Sequence, residues 1–163
     1  MLVLCGRCIR GIKRRNTTLF VGDVIDNETS AFYNTFKENG YITMRSSLKD
    51  GQDFFDCQVP YCDVVISNPP FSQKDKVLER LYAFGKPFAM LMPVASLQGQ
   101  ARFKMFQQGL ELLVFDKRID YYTRGDFDKP RKGVHFGSAY FCKGILPEKL
   151  VFRELNKFER QLK

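Results

Sequence analysis

A chain of 163 residues, 44% hydrophobic and with 16 phenylalanines, has the apolar content of one domain with a sizeable core and too much for a disordered chain. No apolar run approaches the roughly 20 residues that span a bilayer, and the basic start lacks the long apolar segment of a secretory leader, so a cytoplasmic protein with reduced thiols is expected. A formal charge of +8 favours a polyanionic partner, and nucleic acid fits better than a membrane because no basic amphipathic helix stands out.

In chain order, residues 1–16 are irregular and carry Arg7, Arg10, Lys13, Arg14 and Arg15, a basic arm on a single domain that spans 1–163. Thr18 to Ile25 reads as a first strand that ends in the polar turn Asp26-Asn27-Glu28-Thr29-Ser30. Ala31, Phe32, Thr35 and Phe36 recur at helical spacing, and Asn39-Gly40 supplies a residue able to take the left-handed conformation that ends a helix. A second strand, Tyr41 to Arg45, is followed by the turn Lys49-Asp50-Gly51 and by Asp53-Phe54-Phe55. After a third strand at Val64 to Ser67, Ser72 with Asp75 suggests a capping box, Val77, Leu78, Leu81 and Tyr82 form one helix face, and Gly85 closes the helix. Pro87 to Met92 is a buried strand stopped by Pro93. Ser96 is expected to cap a helix carrying Leu97, Phe103 and Phe106. Leu110 to Phe115 is the next strand and is expected to run on toward Tyr122; Arg124 to Gly133 is a loop, Gly137 to Cys142 a last strand, and Leu146 to Lys163 partly helical. The alternation implies an α/β fold, a mostly parallel central sheet with helices on both faces, and the two late strands suggest an antiparallel hairpin at one edge.

The most informative stretch is Asp63-Val64-Val65-Ile66-Ser67-Asn68-Pro69-Pro70-Phe71. A continuous β-branched run suits a strand buried on both faces, and two prolines must end it. The resulting stiff turn falls at the carboxyl end of a central strand, where open α/β sheets place their chemistry. Asn68 offers a side-chain carbonyl, the next peptide carbonyl lies close by, Pro69 and Pro70 hold both still, and Phe71 supplies a flat face. An exocyclic amino group can donate to both oxygens while its ring stacks on Phe71.

Asn68-Pro69-Pro70-Phe71 resembles the (Asp/Asn)-Pro-Pro-(Tyr/Phe) motif of amino-methyltransferases that use S-adenosylmethionine. With Gly85-Lys86-Pro87-Phe88-Ala89, Leu97-Gln98-Gly99, Leu112 to Ile119 and Ser138-Ala139-Tyr140-Phe141, the chain is similar over residues 18–155 to phage and prophage Dam-like adenine methyltransferases. The resemblance implies a Rossmann-like methyltransferase fold and methyl transfer to the amino group of adenine in DNA. It implies that Asn68 and the Pro69 carbonyl hold the amino group, with Pro70 framing the turn and Phe71 stacking on the base. Asp53-Phe54 matches the pair that meets the cofactor's adenine, with Asp53 accepting its amino group, and Asp26 to Ser30 sits where the family binds the methionine portion. Some phage relatives share the form Asp26-x-x-x-Ser30-Ala31-Phe32. Ser46-Ser47 stands where the family has an acid for the ribose hydroxyls, and no Gly-x-Gly loop is present.

Two other readings stay open: a nucleic-acid-binding relative that no longer transfers methyl groups, and an enzyme for RNA adenine or another planar amine. Arg118, Arg124, Arg131 and Lys132, in the basic segment Lys117 to Lys132, are the candidate backbone contacts. His135, the only histidine, reads as a loop residue. Cys5 and Cys8 with Cys57 and Cys62 would supply four thiolates to zinc, but Cys62 abuts the central strand and the second pair is loosely spaced, so no metal is expected.

Overall fold

The computed structural model describes residues 17–22, 31–46, 51–58, 61–123, 126–131 and 135–155. The β-branched and aromatic runs form β1 (Thr18–Gly22), β2 (Ile42–Arg45), β3 (Val64–Ser67), β4 (Phe88–Pro93), β5 (Glu111–Phe115), β6 (Tyr121–Thr123), β7 (Asp126–Arg131), β8 (Ser138–Lys143) and β9 (Leu150–Arg153). The periodic segments form α1 (Ala31–Glu38), α2 (Lys74–Phe84) and α3 (Gln100–Phe106). Short 3₁₀ turns lie at Phe71–Gln73 and Val94–Leu97.

Seven strands form one sheet in the order β2-β1-β3-β4-β8-β5-β9. Only β8 runs against its neighbours in this sheet. Alternate residues of each strand feed two cores. Leu19, Val21, Val64, Ile66, Ala89 and Leu91 face the side covered by Phe36 of α1. Phe20, Val65, Phe88, Met90 and Met92 face the side covered by Val77, Leu78 and Leu81 of α2 and Met105 of α3. A mostly parallel sheet with helices on both faces follows from those continuous apolar runs, as expected for a Rossmann-like α/β fold.

The two late strands do pair antiparallel, with Leu112 opposite Phe141, but β8 lies between β4 and β5, so the pair is internal. Five successive residues of β8, Ser138 to Cys142, are buried, which requires neighbours on both edges as well as cover on both faces. The edge is β9, where helix was expected; its Leu150 to Arg153 pairs parallel with β5, and Leu112 donates to the Lys149 carbonyl at 2.8 Å. Glu111 of β5 secures the bend from β8 to β9: Oε2 accepts from Ile145 N at 3.0 Å and Leu146 N at 2.8 Å, and Oε1 from Gly144 N at 3.0 Å. The segment read as a loop after Arg124 contains β7, paired with β6 through Tyr121 and Arg131 in a separate ribbon. Pro130 is tolerated there because a two-stranded ribbon leaves outward N–H groups unused. Strand β5 stops at Phe115 and β6 begins anew at Tyr121 rather than continuing it.

Two expected caps are replaced. No side chain caps α2: Asp75 instead meets the Arg102 guanidinium, with Nη1 donating to Oδ1 at 2.6 Å. Ser96 lies in the 3₁₀ turn ahead of α3, and its carbonyl accepts from Arg102 Nε at 2.7 Å. Gly85 at φ +64 and Gly40 at φ +81 end their helices as the sequence predicts. Among the described residues no helix is long and apolar enough to cross a membrane.

Candidate functional site

Helix α1 carries the chain from β1 outward to β2, and α2 carries it from β3 the other way to β4. The strand order therefore reverses between β1 and β3, and the crevice beyond their carboxyl ends is where such sheets bind ligands. Asn68 to Phe71 leaves β3 at this point.

The ladder ends there for a definite reason. Val65 donates to the Pro87 carbonyl at 2.9 Å, so residues 65 and 67 of β3 bond to β4. Parallel ladders alternate by two, and with Ser67 opposite Met90 the donor facing the Pro69 carbonyl would be residue 93. That residue is Pro93, which has no N–H. The Pro69 carbonyl is thus left without its ladder donor, while the Pro70 carbonyl is taken by Gln73 N at 2.9 Å. Pro69 is buried and the Asn68 side chain is exposed, with no hydrogen bond to a described residue. Successive residues thus carry two acceptors on a turn stiffened by two prolines.

Phe71 is half-buried in a trio of rings. Its centroid is 5.8 Å from Tyr121 at 86° and 5.4 Å from Phe136 at 81°, both edge contacts. Tyr121 donates to Ser138 Oγ at 2.7 Å. Burial pushes its phenol up, which keeps it a neutral donor. Lys74 Nζ donates to the Phe71 carbonyl at 3.2 Å and fixes the 3₁₀ turn from outside. The sequence pattern pointed to Phe71 but not to Tyr121 or Phe136, because both arrive from segments more than 40 residues later and nothing local marks them.

The remaining expected contacts divide. Asp26 and Ser30 lie outside the described residues. Asp53 sits in a turn: its Oδ1 accepts from Phe55 N at 2.9 Å and its carbonyl from Cys57 N at 2.7 Å, which leaves the second carboxylate oxygen for another donor. Phe54 is 0% exposed, enclosed by Phe20, Phe55 and Phe84 at centroid distances of 6.4, 5.7 and 6.0 Å. Its ring pins the turn to the sheet, and Phe55 is the half-buried ring of the pair. Ser46 follows β2, its N–H donating to the Val21 carbonyl at 3.3 Å beside the end of β1. Its hydroxyl is buried and has no partner.

Arg118 is exposed, and Arg131 lies in β7 opposite Tyr121 in the backbone register. Arg124 and Lys132 lie outside the described residues, as do Cys5 and Cys8. His135 is exposed next to Phe136. Cys57, Cys62 and Cys142 are free thiols. Burial pushes the Cys62 and Cys142 thiols up, the reverse of what a nucleophile needs. Among the described residues no three His, Cys, Asp or Glu side chains come together as a metal site.

No protein-family model matches the sequence, and no curated protein matches it. Among solved structures, the chain is similar to a candidate methyltransferase from Thermoplasma acidophilum. That match is at 14% identity with a TM-score of 0.44, covering 87% of this chain and 73% of that one.

Proposed function

We propose that this protein transfers a methyl group from S-adenosylmethionine to the exocyclic amino group of adenine in nucleic acid, with DNA ahead of RNA. The observation that carries this is the exposed Asn68 amide beside a Pro69 carbonyl that Pro93 cannot cap, at the switch point of a parallel sheet. Asn68 Oδ1 and the Pro69 carbonyl accept the two N–H groups of the amine, which turns the nitrogen lone pair out of conjugation with the ring. The edge contacts from Tyr121 and Phe136 fix the Phe71 ring against which the base rests. The cofactor, when bound, supplies an electrophilic methyl group on a sulfonium. The nitrogen gains a carbon and then releases a proton to water, so no strong general base is required, in keeping with an exposed His135.

The residues at the crevice fit that cofactor in part. The orphaned Ser46 hydroxyl, at the end of β2, would meet one ribose hydroxyl, and the free oxygen of Asp53 would accept an amino group. The enclosed Phe54 ring favours a second reading, in which the chain binds nucleic acid without transferring a methyl group.

Transfer of labelled methyl from S-adenosylmethionine to an adenine-containing oligonucleotide separates the two. Incorporation is expected, and Asn68→Ala should reduce it on the order of 10²-fold, the scale for removing one preorganised hydrogen-bond partner. No incorporation, together with no cofactor binding at millimolar concentration, would refute the enzyme.

A further inference from the structure

A line of exposed apolar side chains leads away from Phe71 along the carboxyl edge of the sheet. Phe136 touches Phe71 at 5.4 Å and is 38% exposed. The next residue, Gly137, accepts from Val94 N at 2.9 Å. Val94 and Leu97 are three apart in one 3₁₀ turn, so their side chains share a face; they are 39% and 38% exposed. Leu97 and Phe103, the latter 62% exposed, line one open groove with Gln98, Gln100 and Lys104.

Charge selects the occupant. From Phe88 to Leu110 the sequence contains no Asp or Glu, and its two cations are Arg102 and Lys104. Arg102 is held by Asp75 and by the Ser96 and Gln98 carbonyls, while Lys104 is exposed in the groove. Exposed rings, amides able to pair with base edges, and the exposed Lys104 on a segment with no acid of its own make up the stacking platform that binds unpaired nucleotides. A duplex does not fit this chemistry, because its base faces are covered by their neighbours and it offers rings and aliphatic side chains only phosphates and groove edges.

We infer that this strip, from Phe136 through Val94 and Leu97 to Phe103, is a track for the unpaired nucleotides that flank the target base, so the substrate is single-stranded nucleic acid. The inference rests on the proposed function for the target base at Phe71.

Fluorescence anisotropy on the full chain tests it, with a labelled adenine-containing DNA strand, the same strand annealed to its complement, and an RNA strand of the same sequence. The wild-type protein should bind the strands at least 10-fold more tightly than the duplex. Phe103→Ala should weaken strand binding about 5- to 100-fold, the range for losing one base–aromatic stack, and Phe103→Tyr should restore it. Equal or tighter duplex binding, or strand affinity unchanged in Phe103→Ala, would overturn the track. So would a dimer that Phe103→Ala splits without weakening strand binding. Because binding is read without methyl transfer, lost incorporation with this pattern intact strikes the enzyme alone, and lost discrimination with incorporation intact strikes the track alone.

Discussion

Gly99→Ala tests how the turn beside the candidate site is held. Gly99 sits at φ +152 and ψ +131, a region that essentially only glycine occupies, at a strain of about 1–3 kcal/mol for other residues. An added Cβ would also lie 2.8 Å from Arg102 Cζ. The guanidinium is the far end of a flexible side chain and can swing aside, but only by leaving Asp75 Oδ1 and the Ser96 and Gln98 carbonyls. Hydrogen bonds from charged donors contribute about 1.5–3 kcal/mol each. The Asp75 side chain is 44% exposed, which screens that pair, so the Arg102 network is taken at about 2 kcal/mol in all.

Gly99→Ala should therefore cost about 3–5 kcal/mol and Arg102→Ala about 2 kcal/mol. In the Arg102→Ala background the clash is gone, and Gly99→Ala should cost only the backbone strain, about 1–3 kcal/mol. Urea unfolding of the four proteins measures the cycle, with an expected coupling of about 2 kcal/mol. Single substitutions that add to within about 0.5 kcal/mol would show that Arg102 does not occupy the space Gly99 leaves, and the argument would fail.

Two further outcomes follow from buried and surface groups. Tyr140→Phe keeps a fully buried ring packed on Phe115 and removes a hydroxyl without a partner, so stability should rise by about 1 kcal/mol in denaturant unfolding; a loss of that size would reveal a partner for the hydroxyl. The Leu155 N–H donated to Asp116 Oδ1 at 2.7 Å, with Lys117 Nζ 3.3 Å from Oδ2, holds the Asp116 carboxyl below its ordinary 3.8. A depressed folded-state value means the contribution is complete above the unfolded value and is lost as pH falls through the folded one. Asp116→Asn should lower stability by a constant amount above about pH 6 and flatten the profile below about pH 4, where the two proteins converge; an identical acid limb in both proteins would refute this.

The parallel half of the sheet was legible because its strands are continuous apolar runs bounded by prolines and glycines, as at Val64 to Ser67 and Phe88 to Pro93. What misled local reasoning was set by distant partners. Leu150 to Arg153 has no strong strand signal of its own and becomes β9 because β5 offers an open edge. Asp75 looks like half of a capping box until Arg102, 27 residues on, claims its carboxylate. Asn68 to Phe71 stands out as a candidate site because its residues are contiguous in sequence. Tyr121 and Phe136 do not, since rings that meet only in three dimensions leave no spacing to find. Phe54 is a motif letter in the expected place whose ring is buried in the core.

The carboxyl edge of this sheet is shaped by donors that are missing. A proline stands two residues beyond β3, Pro69, and another at the end of the neighbouring parallel strand β4, Pro93, so neither strand can extend the ladder across to the other. Each exit then repeats one construction. Pro70 at φ −55, ψ +132 and Pro93 at φ −59, ψ +137 both precede a 3₁₀ turn, at Phe71–Gln73 and Val94–Leu97. In each turn the first side chain, Phe71 or Val94, is directed to the Phe136–Gly137 segment. Two ordinary helix starts would have spent these carbonyls on the first helical turn and buried the residues between them. Proline geometry instead leaves an acceptor pair on one strand, an acid-free apolar shelf on the next, and a ring between them. In the proposed function the acceptor pair and the shelf would serve separate parts of one substrate, its amine and the chain that carries it.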